Sequence, residues 1–310
     1  MRFNKLDLNL LVALDMLLKE RSITRAAERL NLSPSAVSNA LSRLREYFDD
    51  ELLVQIGRRM EVTPRALNLH DAVRDVLLRI DTTITAQPAF EPRESDRVFR
   101  LFTSDYTQFV WGPSLLALAE KEGFTGQFEF LPQVSDPQRE LERGEVDLVI
   151  IPANFMSDEN PCEVLYEEHF VCVLSPDSAL ASQELDQARY LAARHIVMLP
   201  PGRHAEPFEG WFMRQVGVTR DVAVRTYSFT VLPALVAGTE LIATVHARLA
   251  ERLTSLSHPL VIRPCPFQIH PMRQTMQWHR YRDQDPGVQW LRRLASKATV
   301  HMDAGRRPAV

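Results

Sequence analysis

Residues 23–47, ITRAAERLNLSPSAVSNALSRLREY, constrain this chain more than any other stretch: they read as two short helices joined by a tight turn. Ser33 and Pro34 open the second helix with two start signals in succession, a hydroxyl that caps free N–H groups and a proline where no N–H is needed. Val37, Leu41, Leu44 and Phe48 recur at helical spacing and form its inner face. Ser35, Ser38, Asn39, Ser42 and Arg45 share another face, where short hydroxyls, an amide and a guanidinium can approach phosphates and base edges in a major groove. Ala26 and Ala27 in the first helix are small enough to admit a close neighbour. So short a turn suits a helix-turn-helix, in which the second helix lies in the groove and the first braces it. A solvated helical hairpin is the plainer reading of these two helices alone; the segments around them decide against it.

Before this pair, Leu6, Leu10, Leu14, Leu17 and Leu18 mark an amphipathic helix ending near Glu20 and Arg21. After it, Asp49, Asp50 and Glu51 stop the helix, and residues 52–56 and 60–63 read as two short strands around Gly57, Arg58 and Arg59. A glycine turn tipped with two arginines is a wing that reaches a phosphate or an adjacent minor groove. From Pro64 a long helix follows, expected over 65–87. Leu69, Val73, Val76 and Ile80 alternate three- and four-residue steps along it, the seam of a two-helix coiled coil. Residues 88–97, with Pro88 and Pro92 and no period, read as a hinge linker.

From Val98 the texture changes. Short apolar strands such as VFRLFTS, DLVIIP, HFVCVLS and ELIATVH alternate with helical patterns, which argues a mostly parallel α/β architecture. Eight or more strands in about 200 residues suit two small lobes better than one sheet. The expected layout is an effector domain over 98–300, with lobe I at about 98–166 plus 267–300 and lobe II at about 167–266. Residues 301–310 are expected to be a disordered tail.

Composition bounds the function. The chain has 310 residues, 45% hydrophobic, with a net charge of -4. The first 65 residues hold 11 Lys/Arg against 9 Asp/Glu, so a DNA contact there is local and shape-fitted rather than a broad basic surface. Apolar runs are too short to span a bilayer, and Asp7, Asn9 and Asp15 interrupt the N-terminus, against a signal peptide. Cys162, Cys172 and Cys265 lack CxxC spacing, against zinc or a disulfide framework. No HExxH, GxSxG, GxGxxG or P-loop appears, so an enzyme is not expected. The reading is a cytoplasmic protein with no cofactor, no metal and no membrane partner.

The motifs AAERLNLSPSAVSNALSRLR, the basic wing, VTPRA and GEVDLVIIP resemble the LysR-type transcriptional regulators, over essentially the whole chain and most sharply over residues 5–67. The nearest branch is that of nodulation and aromatic-catabolism regulators, the NodD, NahR and LinR group. The resemblance implies an α plus α/β fold: an N-terminal winged helix-turn-helix over 1–64, a coiled-coil linker helix, and a two-lobed effector domain similar to periplasmic binding proteins. It implies double-stranded promoter DNA, RNA polymerase and a second copy of the chain as partners, as a dimer or dimer of dimers. It also implies activation of a catabolic operon. The family usually has Ser-Gln-Pro-Ala where this chain has Ser33, Pro34, Ser35 and Ala36, and an arginine where Gln55 stands, so its base contacts do not transfer.

The residues expected at DNA are Thr24, Ser33, Pro34, Ser35, Ala36, Ser38, Asn39, Ser42, Arg43, Arg45, Arg58 and Arg59. In open α/β sheets ligands sit where strands end and helices begin, and helix N-termini suit carboxylates and phenolates. That reasoning selects Ser104, Asp105, Tyr106, Ser135, Phe155, Pro200, Pro201, Arg203, His204, Phe229, Thr230 and His246 for a small aromatic or phenolic effector, expected to be anionic. Two alternatives compete with this reading. One is redox sensing through Cys162 and Cys172; the other is regulation without an effector.

Overall fold

In the computed structural model the described residues are 6–57, 59–83, 89–132, 136–199, 207–256 and 259–304. The chain forms two compact units that part between Ala86 and Gln87. The first begins with three helices, α1 (Leu8–Glu20), α2 (Ile23–Leu30) and α3 (Pro34–Phe48). Each is started by a side chain accepting from the first turn: Asp7 from the Asn9 N–H, Ser22 from that of Arg25 and Ser33 from that of Ala36. Asn31, in the left-handed region at φ 54°, ends α2 by donating to Ala27 and Glu28, and so sets the tight turn into α3. Ala26 and Ala27 are fully buried, and Val37, Leu41, Leu44 and Phe48 close on Leu10, Leu14 and Leu17.

A β-hairpin follows, β1 (Leu53–Ile56) paired antiparallel with β2 (Arg59–Val62), and then α4 (Pro64–Thr83). Asp50 organises this junction by accepting from the Leu52 N–H at 2.7 Å and the Thr63 hydroxyl at 2.6 Å, while Thr63 caps the Ala66 N–H. Leu52 sits at φ 59°, which costs a branched residue about 1–2 kcal/mol; complete burial of its side chain offsets about as much. Buried Asp15 on α1 ties down α4, accepting from Arg74 at 2.8 Å and lying 3.2 Å from His70. Burial works to raise the Asp15 carboxyl, and these two partners outweigh it and hold it below the ordinary carboxylate range.

The second unit runs through β3 (Val98–Thr103), α5 (Asp105–Val110), α6 (Gly112–Glu122), β4 (Gln127–Leu131), α7 (Pro137–Glu142), β5 (Leu148–Pro152) and β6 (Cys162–Glu168). It continues with β7 (Phe170–Leu174), α8 (Gln187–Ala192), β8 (Arg194–Met198), α9 (Phe208–Gln215), β9 (Asp221–Thr226), α10 (Leu232–Val236), β10 (Ile242–His246), α11 (Ala247–Leu256) and β11 (Val261–Pro264). β12 (Met272–Gln277) and α12 (Pro286–Ala304) close it. Two five-stranded sheets result, ordered β4-β3-β5-β12-β6 and β11-β7-β10-β8-β9. β3, β4 and β5 are mutually parallel, as are β8, β9 and β10; the strands entering after a crossing, β7 and β12, pair antiparallel. The chain passes between sheets twice, through His169 alone and through residues 265–271.

The stretch read as a hinge linker is, from Phe90 on, part of this unit. Phe90 packs on Phe99, Phe124 and Trp290 at ring distances of 5.7, 6.5 and 5.2 Å. Thr125 donates to the Pro92 and Ser95 carbonyls, and residues 92–94 form one 3-10 turn. Lack of period concealed this, because an apolar side chain can anchor irregular backbone as firmly as a helix does. Arg97 forks onto Asp285 at 2.7 and 3.0 Å and reaches Asp147 at 3.3 Å. Its carbonyl would lie 2.3 Å from any Cβ added at Gly126, which is why only glycine fits there. Arg97→Met is expected to cost about 3 kcal/mol by removing the bidentate partner of Asp285, Asp147 keeping Arg282, read as a lower denaturant midpoint. The expected tail is also corrected in part: α12 continues through Ala304, its inner face packed on lobe I, and only residues 305–310 lie outside the described residues.

Candidate DNA interface and effector cleft

On α3 the sequence reading of the two faces is realised. Ser33, Pro34, Ser35, Ala36, Ser38, Asn39, Ser42 and Arg43 are all exposed, and Thr24 is exposed at the start of α2. Ser33 and Ser35 share a hydrogen bond at 2.9 Å, and Ser42 donates back to the Ser38 carbonyl. Those bonds engage the hydroxyls of Ser33, Ser35 and Ser42 and leave the exposed Ser38 hydroxyl and Asn39 amide facing outward. Arg43 is well exposed and only 4.0 Å from the Asp7 carboxylate, a pairing too weak to hold it from a phosphate.

Arg45 has a different task. Its guanidinium donates to the Glu51 carbonyl at 2.8 Å and the Leu53 carbonyl at 2.7 Å, and lies 3.2 Å from the Glu51 carboxylate. It therefore fastens α3 to β1, because helical periodicity gives a residue's face but not its reach. At the wing, Gly57 turns at φ 63° and Gln55 donates to its carbonyl at 3.1 Å, so Gln55 shapes the turn. Arg59 is exposed at the start of β2; Arg58 lies outside the described residues. The α4 seam also divides. Val73 is buried in the core of its own unit and Leu69 packs against that core, whereas Val76 is exposed. The three-four spacing served intrachain packing at Val73, since α4 is also the fourth helix of the DNA-binding unit.

The second site lies where the two lobes meet. Ser104 caps α5, and Asp105, its first residue, reaches from lobe I into lobe II. The Asp105 carboxylate accepts from the Ser228 hydroxyl at 2.6 Å, the Thr230 hydroxyl at 2.8 Å and N–H at 3.0 Å, and the Phe229 N–H at 3.2 Å. Burial works to raise this carboxyl, but the four donors outweigh it and hold its pKa below the ordinary range. The donors at Phe229 and Thr230, selected for an anionic effector, are taken up by the protein's own carboxylate.

Behind the clasp, Tyr106 stacks on His246 with centroids 3.7 Å apart and planes at 10°. Phe229 meets His246 edge-on at 4.8 Å and Phe170 lies 5.0 Å from it. His246 is buried, and Nδ1 has no partner among the described residues. The Tyr106 hydroxyl donates to buried Glu168, which also accepts from the His169 N–H at 2.9 Å and lies 3.4 Å from Arg248. Burial and this acidic neighbour push the Tyr106 phenol well up, so it stays protonated. Close by, Gln274 donates to Thr107 at 3.0 Å, while its oxygen and the Thr103 hydroxyl are buried without a partner among the described residues.

Tyr106, Asp105, Ser104, Phe229, Thr230 and His246 therefore converge as the strand-end rule expects. Phe155 stands apart, exposed after β5. Ser135, Pro200, Pro201, Arg203 and His204 lie outside the described residues. Glu168, Tyr166, Thr107 and Gln274 escaped sequence reasoning: they sit within strands or a helix turn, and only strand pairing brings them to the lobe boundary.

Burial pushes the His246 imidazole down to about 3, against the pull of Asp105, and that of His195 to about 4. Both are neutral in the fold and protonate near 6.5 when unfolded. The unfolded chain then binds more protons, so stability falls as pH drops below about 6.5, by about 1.4 kcal/mol per pH unit per histidine. Denaturant melts between pH 7 and 5 are expected to show this slope, and His195→Phe with His246→Phe to flatten it.

Two family patterns match the chain. The one described as "Bacterial regulatory helix-turn-helix protein, lysR family" covers residues 8–67, and "LysR substrate binding domain" covers 92–299. The chain belongs to the LysR family of bacterial transcriptional regulators. Among its relatives, Nodulation protein D 2 of Rhizobium leguminosarum bv. phaseoli is 37% identical over 100% of this chain and 97% of that one. Nodulation protein D 1 of Mesorhizobium japonicum is 39% identical over 99% of each. A probable transcriptional regulator from Pseudomonas aeruginosa has the same fold, with a TM-score of 0.67, 26% identity, and 95% and 97% of the two chains covered.

This LysR regulator is a DNA-binding protein and not an enzyme; its family binds small effectors and oligomerises. Its described residues hold no cluster of metal ligands and no helix long and apolar enough to cross a membrane. The pairing of Cys162 with Cys172 fails on topology. Cys162 is exposed on β6 in one sheet and Cys172 is buried on β7 in the other, because the crossing at His169 sends the two strands apart.

Proposed function

We propose that this LysR regulator binds promoter DNA through α3 and the wing as a dimer or dimer of dimers, and activates transcription with RNA polymerase when a small neutral aromatic or phenolic compound enters the cleft. The observation that carries the reading is the aromatic stack of Tyr106, His246 and Phe229 beside the Asp105 clasp. A flat ring that displaces Phe229 from His246 would meet the same aromatic faces, and a phenolic hydroxyl can donate to the Gln274 oxygen or His246 Nδ1, which have no partner among the described residues. The effector charge expected from sequence is revised. The donors at Ser228, Phe229 and Thr230 are saturated by Asp105, and Glu168 stands behind Tyr106, so an incoming carboxylate meets like charge in a dry site.

The relatives named as nodulation proteins support a transcriptional role in the same branch, and a catabolic operon is our own extension of the aromatic reading. The test is a footprint of the full-length protein on its own upstream intergenic DNA, with and without flavonoid-sized and single-ring phenols. A phenol-dependent change in the footprint, absent with benzoate, is expected. A footprint unaffected by every compound overturns the effector part and leaves regulation without an effector.

A further inference from the structure

The third cysteine, unused by the effector reading, is the true neighbour of Cys172. β11 runs antiparallel to β7 with Arg263 opposite Cys172 and Pro264 opposite Val171. Cys265 is the next residue, on the same face of the strand as Arg263 and diagonal to Cys172. Both belong to one packed cluster with Leu174, Tyr190 and Met213. Each thiol shifts the ionisation of the other, as near neighbours do. Cys265 lies just beyond the last paired residue of the ladder, so its backbone has room to reach the Cα spacing of about 5.5–6 Å that a disulfide needs.

The two sulfurs are chemically unequal. Cys172 is fully buried, its sulfur 3.8 Å from the Thr244 hydroxyl, and the neighbouring Cys265 together with burial pushes its thiol up. Beside Cys265, Cys172 and the Phe267 N–H together outweigh its burial and hold its thiol below the ordinary value. Cys265 is half-buried and lines a surface pocket of about 720 Å³ with Glu184, Asp186, Gln187 and Arg263, through which a small oxidant reaches it.

We infer that Cys265 and Cys172 form a reversible disulfide site in lobe II, with Cys265 as the attacking sulfur and Cys172 as the resolving one, oxidised by a small hydroperoxide. The Cys265 thiolate attacks the outer peroxide oxygen, the O–O bond breaks, and the alkoxide leaves with a proton as an alcohol or water. The Cys172 thiol, giving its proton to the departing hydroxide, then displaces it from the Cys265 sulfenic acid, releasing water and forming the S–S bond. Two thiols are oxidised by two electrons and one peroxide is reduced. The bond would pin the start of the second crossing, residues 265–271, to β7.

The test uses the full-length reduced protein and hydrogen peroxide, with thiols counted after denaturation and peptides mapped without reduction. Loss of two thiols, a mass lower by about 2 Da for two hydrogens, a peptide joining Cys172 to Cys265, and reversal by dithiothreitol are expected. Cys162→Ser is expected to behave identically, and Cys172→Ser to accumulate a dimedone-reactive Cys265. Three thiols persisting through treatment, or a crosslink that includes Cys162, overturns the proposal in the wild-type protein whatever the variants do.

Discussion

Asp105→Ala is expected to loosen the lobes and to make the regulator respond to small carboxylates that leave the wild type unaffected. The substitution removes the acceptor of four hydrogen bonds, all across the lobe boundary. Ser228, Thr230 and the two N–H groups can turn to water, so the net loss is modest for each bond, together about 2–3 kcal/mol. Amide exchange around 105–110 and 228–236 is then expected to quicken by roughly 30- to 150-fold, since each 1.4 kcal/mol is tenfold. The vacated donors are a ready anion site, so acetate or benzoate should raise the melting temperature of Asp105→Ala and not of the wild type. The clasp also has an acid limit. The Asp105 pKa is held below the ordinary 3.8, so the stability it contributes is complete above that value and is lost as pH falls through the lowered one. A variant whose exchange matches wild type and which ignores carboxylates would remove Asp105 from any account of gating.

Asn39→Ala and Arg45→Ala are expected to weaken DNA binding for separable reasons. Asn39 is exposed on the outer face of α3, and an amide in a major groove discriminates by about 1–3 kcal/mol. Its loss should lower operator affinity by roughly 5- to 150-fold, leaving the melting temperature and the salt dependence unchanged. Arg45 instead loses two charge-assisted bonds to the Glu51 and Leu53 carbonyls. Its removal is expected to destabilise the first unit by about 2 kcal/mol, and to weaken binding on all sequences alike through a displaced wing. Filter binding on operator and scrambled duplexes, beside melts of each variant, separates the two. Equal losses of stability in both would show that Asn39 is structural.

Local chemistry made the first unit readable. The cap at Ser33, the proline at Pro34 and alanines at a helix crossing act within a few residues of themselves, so the sequence carries them in the open. Arg45 was misjudged because its partners, six and eight residues on, depend on the strand that follows. Val73 was misjudged because one apolar stripe can serve an intrachain core or a partner. In the cleft, strand ends pointed to Asp105, Tyr106 and His246, and the helix-start rule pointed to an anion at Phe229 and Thr230. The rule was sound about the donors and silent about their acceptor, since a residue 123 positions earlier supplies it. Glu168 and the Cys172–Cys265 contact depend wholly on sheet order, which alternating hydrophobicity does not encode.

The single-residue crossing at His169 has a mechanical consequence. Glu168 on one side of it holds the Tyr106 hydroxyl, Phe170 on the other pairs with His246, and the His169 carbonyl accepts from the Ala247 N–H at 2.8 Å. The aromatic stack is therefore bonded to the pivot itself rather than out along the jaws. A wedge driven in beside an axle works with a short lever arm. A compound that displaces Tyr106 is therefore expected to act on the connection between the lobes rather than on their rims.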